Sequence, residues 1–419
     1  MTMGEDLTLI IETEDGVVRR NIAPAVPLQD GVERGIAAES AIRFAAALWG
    51  MPDFIFEPAH ETSGSGVREV GDGILITSGT AVMIQSKSRH RPGGTAERES
   101  NWLTKNIVKG LKQGEGSIRF LTARPIAMEN RRRRRVNIDG AALTWVSVVV
   151  IDHDDVPAGY TPPDLPNNAV VMLRRDWEFL FDQLRSARSV AGYLRRVVGE
   201  NIELGTEPVR YHELALADLG VEPPAAPEWA TSASITVSVP QAPLEPAGSL
   251  ETKAHFLLRI IQEDIALSRA PADDELTRID VLSRLDSIPV ASRTELGERL
   301  QSYMSEAKHW SKETLITSAR IYLPVEPGEF ESPIVFMVAS RLNDLAHMVF
   351  RARFELLHYD YYTVSSLTEL MTVGVLLTPG TKSGRAWDTT MLAAKGDMDL
   401  DPAYVEFIRA QLDRTLRSR

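Results

Sequence analysis

Asp72, Gln85 and Lys87 are the residues of this chain best placed to do chemistry together. They sit in the run Val70-Gly-Asp-Gly-Ile-Leu-Ile-Thr-Ser-Gly-Thr-Ala-Val-Met-Ile-Gln-Ser-Lys-Ser-Arg89, where two apolar stretches, 74–76 and 81–84, flank the turn dipeptide Ser78-Gly79. A two-residue hairpin loop at that dipeptide pairs Thr77 with Thr80. Counting outward sets Asp72 opposite Gln85, and the two-residue period of a strand puts Lys87 on the same face. Directly paired Cβ atoms lie roughly 5 Å apart, so a carboxylate, an amide and an ammonium converge at one end of an otherwise apolar hairpin. Such an oxygen-donor set suits Mg2+ (or Mn2+), which retains several waters and needs few protein ligands. Asp72 supplies the charged ligand, Gln85 a side-chain carbonyl and Ser86 a backbone carbonyl. Lys87 is a compact charge suited to orienting a metal-bound water and offsetting charge that develops on a phosphate. The chemistry expected is phosphodiester hydrolysis.

Those residues must be held by the elements around them. A helix is predicted over 31–48, with Asp30 as its N-cap and Ile36, Ala38, Ala41, Ile42, Phe44, Ala45 and Leu48 on a broad apolar face. Glu39 lies at the margin of that face and is the candidate to complete the metal site from the helix. Gly50-Met-Pro52 stops the helix, a strand begins at Asp53, and a Ser/Gly-rich loop at 62–66 leads to the hairpin. After a loop at 91–94, a second helix is predicted over 96–112, with Trp102, Leu103, Ile107 and Leu111 on one side and Lys105, Lys109 and Lys112 as a basic stripe on another. Gly114-Glu-Gly116 reads as its end, with strands following at 117–123 and 142–151. The order is helix, strand, strand, strand, helix, strand.

That order resembles the PD-(D/E)xK restriction-endonuclease-like superfamily, with Gly71-Asp72-Gly73 on the second strand and Ile84-Gln85-Ser86-Lys87 on the third. It looks closest to the Mrr-like defence nucleases in which Gln replaces the middle acid. The resemblance covers about residues 30–152 and implies an N-terminal αβββαβ domain with a mixed central sheet. By the same resemblance Asp72, Gln85 and Lys87 form the catalytic motif and Glu39 the helix acid, with Asp72, Gln85 and Glu39 holding the metal. The implied activity is that of a Mg2+-dependent endonuclease acting on DNA, in restriction or antiphage defence. Gln85 removes one negative charge from the family pattern, so the ion is expected to bind more weakly than at an all-acid site. The alternative is an inactive nuclease-fold module that binds nucleic acid or a partner protein. Asp53, after Pro52, has the poorer register and is set aside.

Charge supports a polyanionic partner locally. The chain carries a formal net charge of −12, yet residues 87–135 hold 14 basic and 4 acidic residues. A local field of this kind attracts nucleic acid whatever the overall isoelectric point. Within it Arg89, Arg91, Lys105, Lys109, Lys112 and the run Arg131, Arg132, Arg133, Arg134, Arg135 are the candidate nucleic-acid contacts, with double-stranded DNA as the expected partner. Solvated helix faces and an exposed loop are the plain structural readings of the same charges.

At 419 residues the chain is too long for one ordinary core, so two or three domains are expected. The boundaries expected are a nuclease-like domain over 1–168, a helical extension over 169–221 that includes one long helix at 177–198, and a Pro/Ala/Ser-rich linker over 222–249. A helix-rich α/β region follows over 250–419, acidic and suited to sensing, regulation or assembly of a homo-oligomer. There are no cysteines, which excludes disulfides, thiolate metal sites and thiol catalysis. The eight histidines show neither HxH nor HExxH spacing, and His153-Asp154-Asp155 reads as a turn. No phosphate-binding glycine motif occurs, no run is long and apolar enough to span a bilayer, and no signal peptide is visible. A cytoplasmic protein with no membrane contact is expected.

Overall fold

The computed structural model describes residues 7–13, 16–57, 59–63, 66–90, 93–222, 224–225, 235–239, 242–268, 275–307, 309–310, 314–326, 329–330, 332–364, 370–380 and 386–417. The chain is a mixed α/β protein that divides into two compact units. The first comprises 1–221, 242–246 and 272–286, and the second comprises 222–241, 247–271 and 287–419.

The first unit opens with the hairpin β1 (Leu7–Thr13) and β2 (Gly16–Ile22), followed by helix α1 (Arg34–Gly50), a 3-10 turn at Pro52–Phe54 and the short strand β3 (Ile55–Phe56). Two hairpins follow: β4 (Ala59–Ser63) with β5 (Gly66–Val70), then β6 (Gly73–Thr77) with β7 (Thr80–Ser88). Helix α2 (Ala96–Thr122) leads to the hairpin β8 (Ile126–Glu129) and β9 (Arg135–Ile138), then to β10 (Thr144–Asp152) and β11 (Ala169–Leu173). Helices α3 (Arg174–Leu184), α4 (Ala187–Val197) and α5 (Glu207–Leu219) come next. Strand β12 (Ile235–Ser238) and helix α6 (Ser249–Leu267) belong to the second unit, and α7 (Glu275–Asp286) returns to the first.

The central sheet of the first unit has the order β11-β10-β7-β6-β3. β6 pairs antiparallel with both β3 and β7, whereas β10 runs parallel to β7 and to β11, so the sheet is mixed. Thr77 pairs with Thr80, as the Ser78-Gly79 turn predicts, and Gly79 takes the positive φ of +73° that the turn demands. β7 and β10 are buried along nearly their whole length, because one helical layer covers each face. Leu103 and Ile107 of α2 pack with Val149 and Ile151 of β10 on one side. On the other side Trp177 of α3 donates its indole N–H to the Ile42 carbonyl of α1 at 3.0 Å.

Several sequence expectations are corrected. The second helix does not end at Gly114: α2 runs unbroken to Thr122, and the strand expected at 117–123 is its last turns. Leu103, Ile107, Gly110, Gly114, Ser117 and Leu121 form its single buried face. The two glycines are the closest points of the packing. A Cβ at Gly110 would lie 2.9 Å from Val149, and one at Gly114 would lie 2.3 Å from Ser147 Oγ. These glycines seat the helix on the sheet. The fourth strand of the expected order is therefore β10. The single helix expected at 177–198 is two, separated by Arg185 in the left-handed region (φ 50°), with Ser186 capping α4. On α1 the N-cap is Glu33 rather than Asp30, and the buried residues include Ala37, Ala38, Ile42, Ala46 and Trp49. Ile36, Phe44 and Leu48, expected inward, are exposed. The boundary expected at 168 falls between two hydrogen-bonded strands, since β11 joins the same sheet as β10. Part of the linker expected at 222–249 lies outside the described residues.

The second unit holds α8 (Val290–Ala307), β13 (Thr317–Glu326), β14 (Glu329–Phe330), β15 (Ile334–Ala339), α9 (Asp344–Val364), β16 (Met371–Pro379), β17 (Trp387–Lys395) and α10 (Pro402–Arg417). Its sheet has the order β12-β13-β15-β16-β17, with β14 beside β13, and mixes parallel and antiparallel pairs. Phe350 and Phe354 of α9 pack on Val335, Met337 and Leu376. Among the described residues, no helix of the chain is long and apolar enough to cross a membrane.

The glycine seam gives a stability prediction. Gly114→Ala should lower stability by about 1–3 kcal/mol through overpacking against Ser147, read as a fall in the urea midpoint. Ser147→Gly in the same molecule should recover part of that loss, because it vacates the space the new methyl needs. No recovery would mean that the cost does not come from the contact with Ser147.

Candidate active site

Asp72 precedes β6 immediately, but the ladder ends at Gly73↔Ile84 and the expected Asp72–Gln85 pair does not form, because the Asp72 N–H donates to the Ile84 carbonyl at 3.1 Å. The Ser86 backbone N–H donates to Asp72 Oδ2 at 2.6 Å, which fixes the carboxylate against β7. Lys87 Nζ lies 3.6 Å from the same oxygen and donates to the Ser86 carbonyl at 2.8 Å. Gln85 is almost fully buried and points under α2: its Cγ is 3.8 Å from the Cβ position of Gly114, and its Nε2 is 3.6 Å from that of Gly71. Gly71 itself has φ +77° and so little room that a Cβ would meet Met83 Sδ at 2.5 Å. A glycine is required there for the chain to turn into Asp72. The hairpin thus gathers Asp72, Gln85 and Lys87 at one end of the sheet.

Burial pushes the Lys87 ammonium below the ordinary lysine range. The Asp72 charge opposes that effect, Lys109 adds to it, and Glu39 opposes it again. Those influences place Lys109 of α2 and Glu39 of α1 within electrostatic reach of Lys87. Glu39 is half-buried, 3.9 Å from Arg43 one turn along the helix. Arg43 in turn donates from Nη1 to the Asp72 carbonyl at 2.6 Å, with its stem against Gly73. Arg43 was missed from the sequence, although its spacing of four from Glu39 places both on one face of α1.

Helix α1 is anchored by an ion network one residue beyond Lys87, where Ser88 of β7 pairs with Asp152 of β10. Asp152 accepts from Arg34 Nε at 2.8 Å, Arg174 Nε at 2.8 Å and Ser88 Oγ at 2.9 Å. Burial alone would raise the Asp152 pKa, but the hydrogen bonds and charges of Arg174 and Arg34 outweigh it and hold the carboxyl below the usual range. A second buried carboxylate, Glu99, receives both Arg89 Nε at 2.9 Å and His153 Nε2 at 2.9 Å. His153 Nδ1 accepts the Asp155 N–H at 3.1 Å, so the His-Asp-Asp segment is a turn.

The basic residues divide sharply by partner. Lys105, Lys109 and Lys112 are exposed on α2. Arg89 is committed to Glu99 and lies over the Trp102 ring at 5.4 Å. Arg91 lies outside the described residues. The five arginines form the turn between β8 and β9 and its flank, not a free loop. Arg132 and Arg134 reach the buried Asp53, Arg134 at 3.3 Å, and Arg133 bridges Glu57 at 3.0 Å and Glu129 at 2.9 Å. Asp53 is therefore a structural anchor. Arg135 is exposed, and Arg131 is half-buried with no carboxylate partner among the described residues.

The donor set fits Mg2+ by its chemistry. Asp72 and Glu39 are carboxylates, and Gln85 and Ser86 offer carbonyls. Among the described residues no group of three or more His, Asp or Glu is arranged to hold a metal.

Glu99 allows a test by pH. Its hydrogen bonds to Arg89, against the opposing effect of burial, together with those from His153 and the Gly94 N–H, hold its pKa down at about 2, from an ordinary 4.5. A depressed carboxyl stabilises the fold fully above its unfolded pKa and loses that contribution as pH falls through the folded value. Glu99→Gln should therefore flatten the fall in urea midpoint between pH 4.5 and 2. An unchanged pH profile would show that the Arg89–Glu99–His153 contacts do not carry acid sensitivity.

Compared with protein-family models, with curated proteins and with solved structures, the chain matches none.

Proposed function

We propose that the first unit is a Mg2+-dependent nuclease that hydrolyses phosphodiester bonds in DNA, related to the PD-(D/E)xK restriction-endonuclease-like superfamily. The observation that carries this reading is the pairing of Asp72 with Lys87 at 3.6 Å, on adjacent strands beside a buried Gln85. The order α1, β3, β6, β7, α2, β10 and the mixed sheet are in keeping with it. So is the exposed Lys109 of α2, within electrostatic reach of Lys87.

In this reading Asp72, Glu39, the Gln85 side-chain carbonyl and the Ser86 carbonyl would hold the ion. Bound Mg2+ would lower the pKa of a coordinated water and neutralise charge on the phosphate. The Ser86 N–H keeps the Asp72 carboxylate in one orientation. Lys87, already desolvated, faces the phosphate with its positive charge and offsets the charge that develops as water adds to phosphorus. The P–O bond to one sugar then breaks, and that oxygen leaves with a proton. Lys105, Lys109 and Lys112 hold the backbone through salt-sensitive contacts. In the same reading the second unit serves sensing, regulation or assembly.

Incubation of the purified chain with plasmid DNA and Mg2+ tests the reading. Cleavage is expected from the wild type, with none from Asp72→Asn. Lys87→Ala should slow the reaction by about 10²-fold or more, the scale of losing one electrostatic group at a transition state, while Mg2+ affinity stays nearly intact. Gln85→Glu adds Coulombic attraction and should raise Mg2+ affinity in calorimetry. An unchanged affinity would remove Gln85 from the ligand set, and equal cleavage by wild type and Lys87→Ala would leave a binding module rather than an enzyme.

A further inference from the structure

We propose that Arg131, together with Arg43, grips a backbone phosphate of the bound nucleic acid on the β3 side of the Asp72–Lys87 centre. The identity of the anion rests on the nuclease reading above; the existence of an anion site does not.

Three of the four arginines that follow Arg131 in the run are matched to acids, Arg132 and Arg134 to Asp53 and Arg133 to Glu57 and Glu129. Arg131 has no such match among the described residues, although it is half-buried. Its backbone is held firmly all the same. The Arg131 N–H donates to the Ile55 carbonyl at 2.8 Å, and the Asn130 carboxamide oxygen accepts the N–H groups of Arg132 at 3.0 Å and Arg134 at 3.1 Å. The Asn130 Nδ2 donates to the Asp53 carbonyl at 3.2 Å. A rigid turn thus carries one uncommitted guanidinium at the outer edge of β3.

β3 is a single strand away from β6, with Ile55 opposite Leu75 and Phe56 opposite Ile74. Arg43 comes to the same end of β6 from α1, where it donates to the Asp72 carbonyl at 2.6 Å. Burial and the charge of Arg43 both oppose the Arg131 cation, and Glu57 is the acid that counters them. Glu57 is itself engaged by Arg133 at 3.0 Å. Arg131, whose nearest acid is already shared with Arg133, is stabilised by an external anion, and Arg43, 3.9 Å from Glu39, adds its charge beside it. The planar guanidinium matches a phosphate bidentately. The neighbouring Lys87 and Asp72 determine which phosphate is meant, one beside the bond that is cut.

The test uses the full chain and a labelled 20-base-pair duplex in EDTA, which suppresses cleavage. Arg131→Gln should weaken binding at low salt about tenfold and reduce the slope of log K against log salt by about one. Arg131→Lys should recover most of the slope, because the charge returns. Arg195→Gln, which removes an exposed charge on α4, should change neither. With Mg2+ present, Arg131→Gln should raise KM far more than it lowers kcat. Equal affinity and slope for Arg131→Gln and wild type would overturn the proposal while leaving the nuclease reading in place. Pyrophosphate separates the two further: a pyrophosphate-dependent rise in Tm that Arg131→Gln abolishes supports the anion site even if no nucleic acid is cut. No such rise in the wild type, together with no duplex binding, would overturn it.

Discussion

Everything in the first unit is organised around β7, a strand with a partner on each edge and a helical layer on each face. Antiparallel pairing with β6 brings Asp72 to it, and parallel pairing with β10 fixes its depth in the sheet. A one-residue slip in either ladder would turn Gln85 and Lys87 to the opposite face. Burial on both sides prevents that slip, since Val82, Ile84 and Met83 have no exposed alternative. The candidate site inherits its geometry from the register.

The second constraint is the closeness of α2. Gly110 and Gly114 let the helix approach Val149 and Ser147, and a Cβ at Gly110 would also lie 3.5 Å from the Lys87 Cε. Lys87 is desolvated because the helix is near, and Lys109 stands beside it for the same reason. Packing and electrostatics are one arrangement here. The glycines lower intrinsic helix propensity by roughly 1 kcal/mol each, a cost the sheet contact offsets.

Charge is sorted by depth. Buried acids stitch loops and helices to the sheet: Asp53 and Asp152 each take two arginines, and Glu99 takes Arg89 and the His153 imidazole. A buried carboxylate with one partner removed is costly, so these arginines are not released to bind a ligand. The basic surplus of residues 87–135 is therefore smaller at the surface than in the sequence. Among the described residues, the lysines of α2, Arg98, Arg131 and Arg135 remain of it without an acid partner.

The hairpin register was legible from the sequence by itself. Ser78-Gly79 between two apolar runs permits one tight turn, and strand periodicity then determines which residues share a face. Counting central-sheet strands alone, the order of helix, three strands, helix and strand was legible too, but one strand was misplaced and the hairpins β4–β5 and β8–β9 were missed. A glycine pair reads locally as a helix stop, and only the sheet beneath α2 shows it to be a contact surface. The partners of the arginines were likewise invisible, because Asp53 and Arg132 are distant in sequence and ion pairing depends on position in space. Ile36, Phe44 and Leu48 look like core residues by helical spacing, yet which face of α1 is buried depends on where α3 and α4 pack. Local rules determined turns, periods and register. The tertiary structure decided which charges are spent inside the protein and which are left to meet a ligand, because desolvation and Coulomb energy depend on three-dimensional neighbours alone.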